Sequence, residues 1–114
     1  ARVQVMEADD EVRLYLDGEE IAPPAELEAG WFDLGPLLGE GANRLTAEVT
    51  SRRGYWAYRW VLEVEGARET FACGIPNKSG CRRDGTSGKE HGTFSAGSVW
   101  LYVDRRSGSV DVDR

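Results

Sequence analysis

Alternation of apolar and polar residues with a period of two dominates this chain, and it is clearest over residues 55–65. Every even position of that stretch is apolar or aromatic: Trp56, Tyr58, Trp60, Leu62 and Val64. Such alternation is typical of a β-strand that packs one face on a core. An aromatic row of this kind can also form a platform for sugar stacking, but its continuation into Leu62 and Val64 favours the core.

The same pattern predicts further strands on both sides of this central one. They cover residues 2–6, 12–16, 31–34, 44–50, 68–72, 98–104 and 110–113, with a short return strand around 20–22. The dipeptide Asp17-Gly18 predicts a hairpin turn before that return. Residues 51–54 have the length of a turn that joins 44–50 to the central strand as an antiparallel pair. Residues 25–29 predict at most one helical turn.

Residues 74–97 interrupt the alternation with six glycines and many polar residues. We expect a long loop there, with a short strand hidden at 92–95. Roughly eight or nine short strands, frequent turn signals and no convincing helix then predict a single all-β domain over residues 1–114. Its fold class is an antiparallel β-sandwich or jelly roll with one long loop.

Composition narrows the classes of partner. The chain has 114 residues, of which 40% are hydrophobic and 30% charged, as in an ordinary soluble domain. No apolar run approaches the roughly 18 residues that a membrane-spanning helix requires. The formal net charge of −6 argues against a nucleic-acid backbone, which is bound through Lys and Arg. We therefore expect neither membrane insertion nor a nucleic-acid partner.

The two cysteines predict a disulfide. Seven residues separate Cys73 from Cys81, and their glycines and proline allow the loop to close easily. Two reduced thiols are the alternative, and zinc is disfavoured because His91 is the only other soft ligand where four are needed. A disulfide implies an oxidising compartment, and the chain begins at Ala1 with neither an initiator Met nor a signal peptide. Both features favour a secreted or periplasmic protein.

Three motifs follow one another in a familiar order. They are the hairpin sequence Val12-Arg13-Leu14-Tyr15-Leu16-Asp17-Gly18, the strand Trp31-Phe32-Asp33-Leu34, and the turn Gly41-Ala42-Asn43-Arg44-Leu45 that opens the next strand. Over about residues 11–65 this order resembles the galactose-binding-like jelly rolls attached to many secreted glycoside hydrolases. The resemblance implies a carbohydrate-binding module, in a family where a structural calcium ion is frequent.

Aromatic residues between core positions are the candidate ligand contacts. If Val99, Leu101 and Val103 face the core, the residues between them point outward. Outward aromatic residues grouped on one sheet face would form a binding surface, whereas burial of this strand on both sides by the long loop fits the pattern equally well. The predicted ligand-binding residues are Tyr15, Tyr55, Arg59, Trp100 and Tyr102.

Charged residues supply two weaker candidates. A basic cluster in the long loop predicts contact with an acidic partner, and it consists of Lys78, Arg82, Arg83 and Lys89. It supports the alternative function, a protein-interaction domain such as an inhibitor, immunity or surface-assembly factor, although charge that merely solvates the loop is the plainer explanation. The acids at 9–11 are the second candidate, because they could hold a calcium ion, with Asp111 and Asp113 nearby if the end strands pair.

No catalytic arrangement is recognisable in the sequence. His91 has serines and acids around it but no nucleophile elbow, and no pair of carboxylates stands out for glycoside hydrolysis. We expect a non-catalytic binding module without a cofactor, in which acids at solvated turns need no calcium. A structural domain from a larger secreted enzyme is a further possibility.

The Cys73–Cys81 bond is testable by mass spectrometry. Alkylation of the unfolded chain should leave both thiols unmodified without reductant and modify both after reduction, because a disulfide has no free thiolate. Modification without reductant would show the two reduced thiols instead.

Overall fold

The computed structural model describes residues 1–9, 11–51, 57–73 and 92–114. Within them the chain forms nine β-strands, one short α-helix and one 3-10 turn at Gly35–Leu37. The strands are β1 (Arg2–Asp9), β2 (Glu11–Leu16), β3 (Glu19–Glu20), β4 (Phe32–Asp33), β5 (Gly41–Ser51), β6 (Ala57–Val64), β7 (Ala67–Cys73), β8 (Gly92–Asp104) and β9 (Ser109–Asp113), and the helix α1 is Pro24–Ala29. The predicted all-β class is confirmed, and nine strands agree with the number expected.

Two antiparallel sheets face each other across one hydrophobic core. The four-stranded sheet has the order β4-β1-β6-β7, and the five-stranded sheet has the order β3-β2-β5-β8-β9. Alternate residues of β6 fill the space between them: Tyr58, Trp60, Leu62 and Val64 are all buried, as their period predicts. Trp56, which belongs to the same predicted face, lies outside the described residues.

The predicted hairpins are confirmed where turn chemistry specified them. Strand β2 pairs with β3 around Asp17 and Gly18, whose φ angles of 50° and 86° are those of a tight hairpin turn. Strand β8 pairs with β9 across residues 105–108. The short strand suspected at 92–95 exists and is continuous with 98–104, so that both segments belong to the single strand β8.

One predicted pairing is wrong. Strands β5 and β6 do not form a hairpin, since β5 pairs with β2 and β8 while β6 pairs with β1 and β7 in the other sheet. A short connection can turn a strand back beside its neighbour or carry it across the core to the opposite sheet. Periodicity cannot separate these outcomes because each strand has one buried face in both.

Two short segments add residues to the core. The predicted helical turn is present as α1, and its Leu27 is fully buried, so this segment contributes to the core despite its length. Of the two leucines at the end of the 3-10 turn, Leu38 is buried in the core, whereas Leu37 is 47% exposed.

A buried asparagine organises the turn that leads into β5. Asn43 is 3% exposed, and among the residues that the structure describes it is the only polar one that is buried. Its Nδ2 donates to the carbonyl oxygens of Gly39, Gly41 and Leu101, and its Oδ1 accepts from the Gly39 N–H at 2.9 Å. These bonds compensate for the desolvation of a buried amide, and they explain why asparagine suits this position.

Strand β8 contains a bulge that reverses which residues face the core. Thr46 of β5 lies opposite Ser98 while Glu48 lies opposite Ser95, so β8 has one extra residue between them, at Ala96 and Gly97. Phe94, before the bulge, and Ala96, at its start, pack on the core, whereas Val99 and Leu101 do so after it. The extra residue therefore moves even-numbered side chains from the core to the outer face.

The bulge is held by the opposite sheet. The Trp60 indole Nε1 donates a 2.9 Å hydrogen bond to the carbonyl oxygen of Ala96. Phe71 stacks on Trp60 with ring centroids 4.0 Å apart and planes within 5° of parallel. Gly97 has a φ of +111°, and a Cβ there would lie 2.6 Å from Cδ1 of Phe71. Glycine is therefore required by both backbone conformation and space.

Most of the loop that the predicted disulfide would close lies outside the described residues. Cys73 is the last residue of β7 and is 6% exposed. Cys81 lies outside the residues that the structure describes, so the disulfide stays a prediction.

The Gly97→Ala substitution should lower the free energy of unfolding by about 3 kcal/mol. The added Cβ would strain a backbone with positive φ and would overlap the Phe71 ring. Gly108→Ala is the matched control, because Gly108 also has a positive φ of +72° but nothing within 4 Å of an added Cβ. It should cost about 1 kcal/mol. Urea unfolding measures both, and equal losses would mean that the contact with Phe71 contributes nothing.

Candidate functional site

The outer face of the five-stranded sheet contains an aromatic pair. Beyond the bulge, Trp100 and Tyr102 of β8 point away from the core, and Tyr102 is 42% exposed while Trp100 is half-buried. Their ring centroids are 6.3 Å apart and the ring planes lie within 23° of parallel. That separation is close to the spacing of alternate residues along a strand, so the two rings form one continuous surface.

Arg44 extends this pair on the neighbouring strand. It lies opposite Trp100 in the register of β5 and β8, and its guanidinium carbon is 4.8 Å from the Trp100 ring centroid. Its Nη2 also donates to Ser98 Oγ at 3.1 Å. Arg44, Trp100 and Tyr102 thus form a row of three planar groups, held in place by a cation–π contact and a hydrogen bond.

Two carboxylates border the row on its other side. Asp111 lies opposite Tyr102 and Asp113 opposite Trp100 in the register of β8 and β9. Residues directly opposite one another on a sheet face are close neighbours, with Cβ atoms about 5 Å apart. The outer face therefore combines two aromatic rings, one guanidinium and two carboxylates. We call this set of residues, Arg44, Trp100, Tyr102, Asp111 and Asp113, the β8 face.

Tyr15 shares the sheet surface but not the β8 face itself. It lies on β2 opposite Thr46 of β5, and Thr46 lies opposite Ser98 of β8. Partial burial and then the Glu48 carboxylate raise the pKa of the Tyr15 phenol above its ordinary value. Tyr15 is thus a polar hydroxyl at the far side of β5.

Arg59, also predicted as a ligand contact, does not lie on this surface. It is exposed on β6 of the four-stranded sheet, where its Nη1 lies 4.0 Å from Glu7 Oε1. The alternation of apolar and polar residues predicted that the Arg59 side chain points outward, but it could not show to which sheet the strand belongs. Tyr55, the loop cations Lys78, Arg82, Arg83 and Lys89, and His91 lie outside the described residues.

The end strands, whose pairing would bring Asp111 and Asp113 to a calcium site, do not pair with each other. Strand β1 lies in the four-stranded sheet and β9 lies in the five-stranded sheet. Among the described residues, no group of three or more His, Cys, Asp or Glu side chains is placed to hold a metal ion. The two aspartates instead adjoin the aromatic pair.

A pocket of about 370 Å³ lies on the other sheet and is lined by Trp31 together with charged residues. Most of its charge is engaged in a clamp across three strands. Arg2 of β1 and Arg68 of β7 each bond one oxygen of Glu63 on β6, at 2.9 and 2.8 Å, and both guanidinium groups contact the Trp31 ring. We interpret this cluster as structural, because its charges are paired with one another.

The clamp predicts a pH-dependent stability. Hydrogen bonds from Arg68 and Arg2 hold the pKa of Glu63 below its ordinary value of 4.5. A depressed pKa in the folded state means that this stabilisation is present above pH 4.5 and is lost as the pH falls through the folded-state pKa.

Glu63→Gln should therefore be less stable than the wild type at neutral pH and approach it in acid. Urea unfolding across this range measures the difference. Glu28→Gln on α1, which forms no ion pair with a described residue, is the control. A difference between Glu63→Gln and the wild type that does not change with pH would show that the carboxylate charge is not responsible.

Within the described residues, no helix is both long and apolar enough to span a membrane. No family model, curated protein or solved structure was found to match the chain.

Proposed function

We propose that this protein is a non-catalytic module that binds a carbohydrate on the β8 face. The observation that carries the proposal is the outward, near-parallel pair of Trp100 and Tyr102, bordered on both sides by side chains that form strong hydrogen bonds. Sugars present apolar C–H faces and a rim of hydroxyl groups. Aromatic rings complement the first, and carboxylates and guanidinium groups complement the second.

The face is organised before a ligand arrives. Each of its residues lies on a paired strand, and Arg44 is held by Trp100 and Ser98. Binding to groups that are already ordered loses less conformational entropy than binding to a mobile loop. A rigid, exposed surface of this kind suits an extended ligand that lies along the strand.

The directions of the two carboxylates support a proposal of binding without catalysis. Glycoside hydrolysis uses two carboxyl groups that flank the scissile bond. Asp111 and Asp113 are alternate residues of the edge strand β9, and therefore point the same way from one side of the aromatic row. This arrangement favours holding a sugar over cleaving it.

The proposal extends to family and compartment. The motifs over residues 11–65 support a galactose-binding-like domain, and the chain changes sheet after β1, β3, β4, β5 and β7, as β-sandwiches commonly do. A module of that kind, with a disulfide between Cys73 and Cys81, would be secreted or periplasmic. The alternative, a protein-interaction domain that uses the 74–97 loop, rests on cations outside the described residues.

Calorimetric titration with a panel of soluble oligosaccharides tests the function. We expect saturable binding by the wild type, and association roughly five- to tenfold weaker in Tyr102→Ala and in Trp100→Ala, the value of one aromatic contact. Calorimetry is preferred over fluorescence because Trp100→Ala removes a reporter. Met6→Ala is the control, since Met6 is also 42% exposed but lies on the other sheet.

Loss of binding in Tyr102→Ala and Trp100→Ala but not in Met6→Ala would support the proposal. Unchanged affinity in both aromatic variants, with far-UV circular dichroism like that of the wild type, would place any glycan site elsewhere. Absence of binding to every oligosaccharide would contradict the function.

A further inference from the structure

The charges of the β8 face are unequally compensated. Arg44 is engaged by the Trp100 ring and by Ser98. Asp111 and Asp113 form no ion pair with any residue that the structure describes. Both carboxylates are exposed and lie beside the aromatic rings, one opposite each ring. A ligand on the rings therefore meets two uncompensated negative charges on one side and one positive charge on the other.

The remainder of the same outer surface adds to the negative side. Arg13 on β2 is held by Glu11 and Glu20 at 3.0 and 2.6 Å, so its charge is neutralised locally. Glu48 on β5 is exposed and forms no ion pair with a described residue. Arg44 keeps its positive charge on this surface, because neither the Trp100 ring nor the Ser98 hydroxyl neutralises it. The exposed carboxylates of Glu48, Asp111 and Asp113 outnumber that charge, so an acidic sugar meets a surface of net negative charge.

We propose that the β8 face is selective for uncharged glycans and discriminates against acidic ones through Asp111 and Asp113; this inference rests on the proposed function. Two carboxylates adjacent to the stacking positions repel uronate or sulfate groups, at distances where Coulomb energies in partly screened surroundings are large enough to change affinity. Sugar hydroxyl groups, in contrast, donate hydrogen bonds to carboxylates, and such charge-assisted bonds are strong.

Arg44 supplies the opposite discrimination. Its guanidinium lies against Trp100, so a ligand amine stacked on that ring would be near a like charge. The guanidinium still donates to neutral hydroxyl oxygens. Acidic glycans meet a like charge at the aspartates, and amino glycans meet one at Arg44. Uncharged glycans meet no like charge on either side of the aromatic pair.

The test compares three classes of soluble oligosaccharide of equal length by calorimetry. The probes are neutral gluco-, xylo- and manno-oligosaccharides, anionic galacturonate and mannuronate oligosaccharides, and cationic glucosamine oligosaccharides. At an ionic strength of about 0.01 M, where the Debye length is about 30 Å, we expect the best neutral ligand to bind roughly tenfold more tightly than any charged one. The difference should narrow in about 1 M salt, while the neutral affinity stays constant.

The double variant Asp111→Asn and Asp113→Asn isolates the cause. It should raise the affinity for anionic oligosaccharides roughly fivefold or more at low salt. Its control is the double variant Glu26→Gln and Glu28→Gln on α1, which changes the net charge by the same amount away from the face. An equal gain in both double variants would assign the effect to net charge and overturn the proposal.

The outcomes separate the two proposals. Both proposals are supported if the wild type binds neutral glycans most tightly and only the Asp111→Asn and Asp113→Asn variant gains affinity for anionic glycans. Tighter binding of an anionic or a cationic class by the wild type overturns the charge selectivity and leaves the carbohydrate function standing. Binding to none of the three classes overturns the function, and the selectivity with it.

Discussion

The indole N–H of Trp60 donates a hydrogen bond to the backbone carbonyl of Ala96, and this contact joins the two sheets through the middle of the core. Ala96 belongs to a bulge in β8, where the ordinary ladder with β5 is interrupted. A carbonyl that leaves its ladder inside a core loses stability unless it finds another donor. Trp60 supplies that donor from the opposite sheet, and Phe71, stacked on Trp60, packs against Gly97.

The candidate site depends on that bulge. Without the extra residue, even-numbered side chains would face the same side along the whole of β8, and Trp100 and Tyr102 would lie on the side of Ala96 in the core. With it, Val99 and Leu101 fill the core and the two aromatic rings reach the surface. The core contact between Trp60 and Ala96 therefore also helps to hold the two aromatic rings on the outer face.

The two sheet surfaces use charge differently. On the four-stranded sheet, Glu63 is shared by Arg2 and Arg68, so its charge is satisfied within the protein and ties β1, β6 and β7 together. On the five-stranded sheet, Asp111 and Asp113 border aromatic rings with no ion pair among the described residues. Paired charge on one surface favours stability, whereas uncompensated charge beside exposed rings favours recognition, which is why we place the ligand on the β8 face.

Several features of this protein could be read from the sequence, because they depend on neighbours along the chain. The alternation through Tyr58, Trp60 and Leu62 identified the central strand and its buried face, and Asp17-Gly18 identified a hairpin through the backbone angles it adopts. The alternation of Val99 and Leu101 with Trp100 and Tyr102 indicated that the aromatic residues point away from the core, but it left open whether the long loop buries them.

Other features were decided only by the tertiary structure. Sequence period is the same whether a strand turns back or crosses to the opposite sheet, so the sheet of Arg59 and the partners of β5 could not be inferred. The role of Arg44 beside Trp100 depends on the register between β5 and β8, which brings together residues 56 positions apart in the sequence. Local pattern therefore determined which residues face outward, and long-range strand pairing decided which of them share one surface.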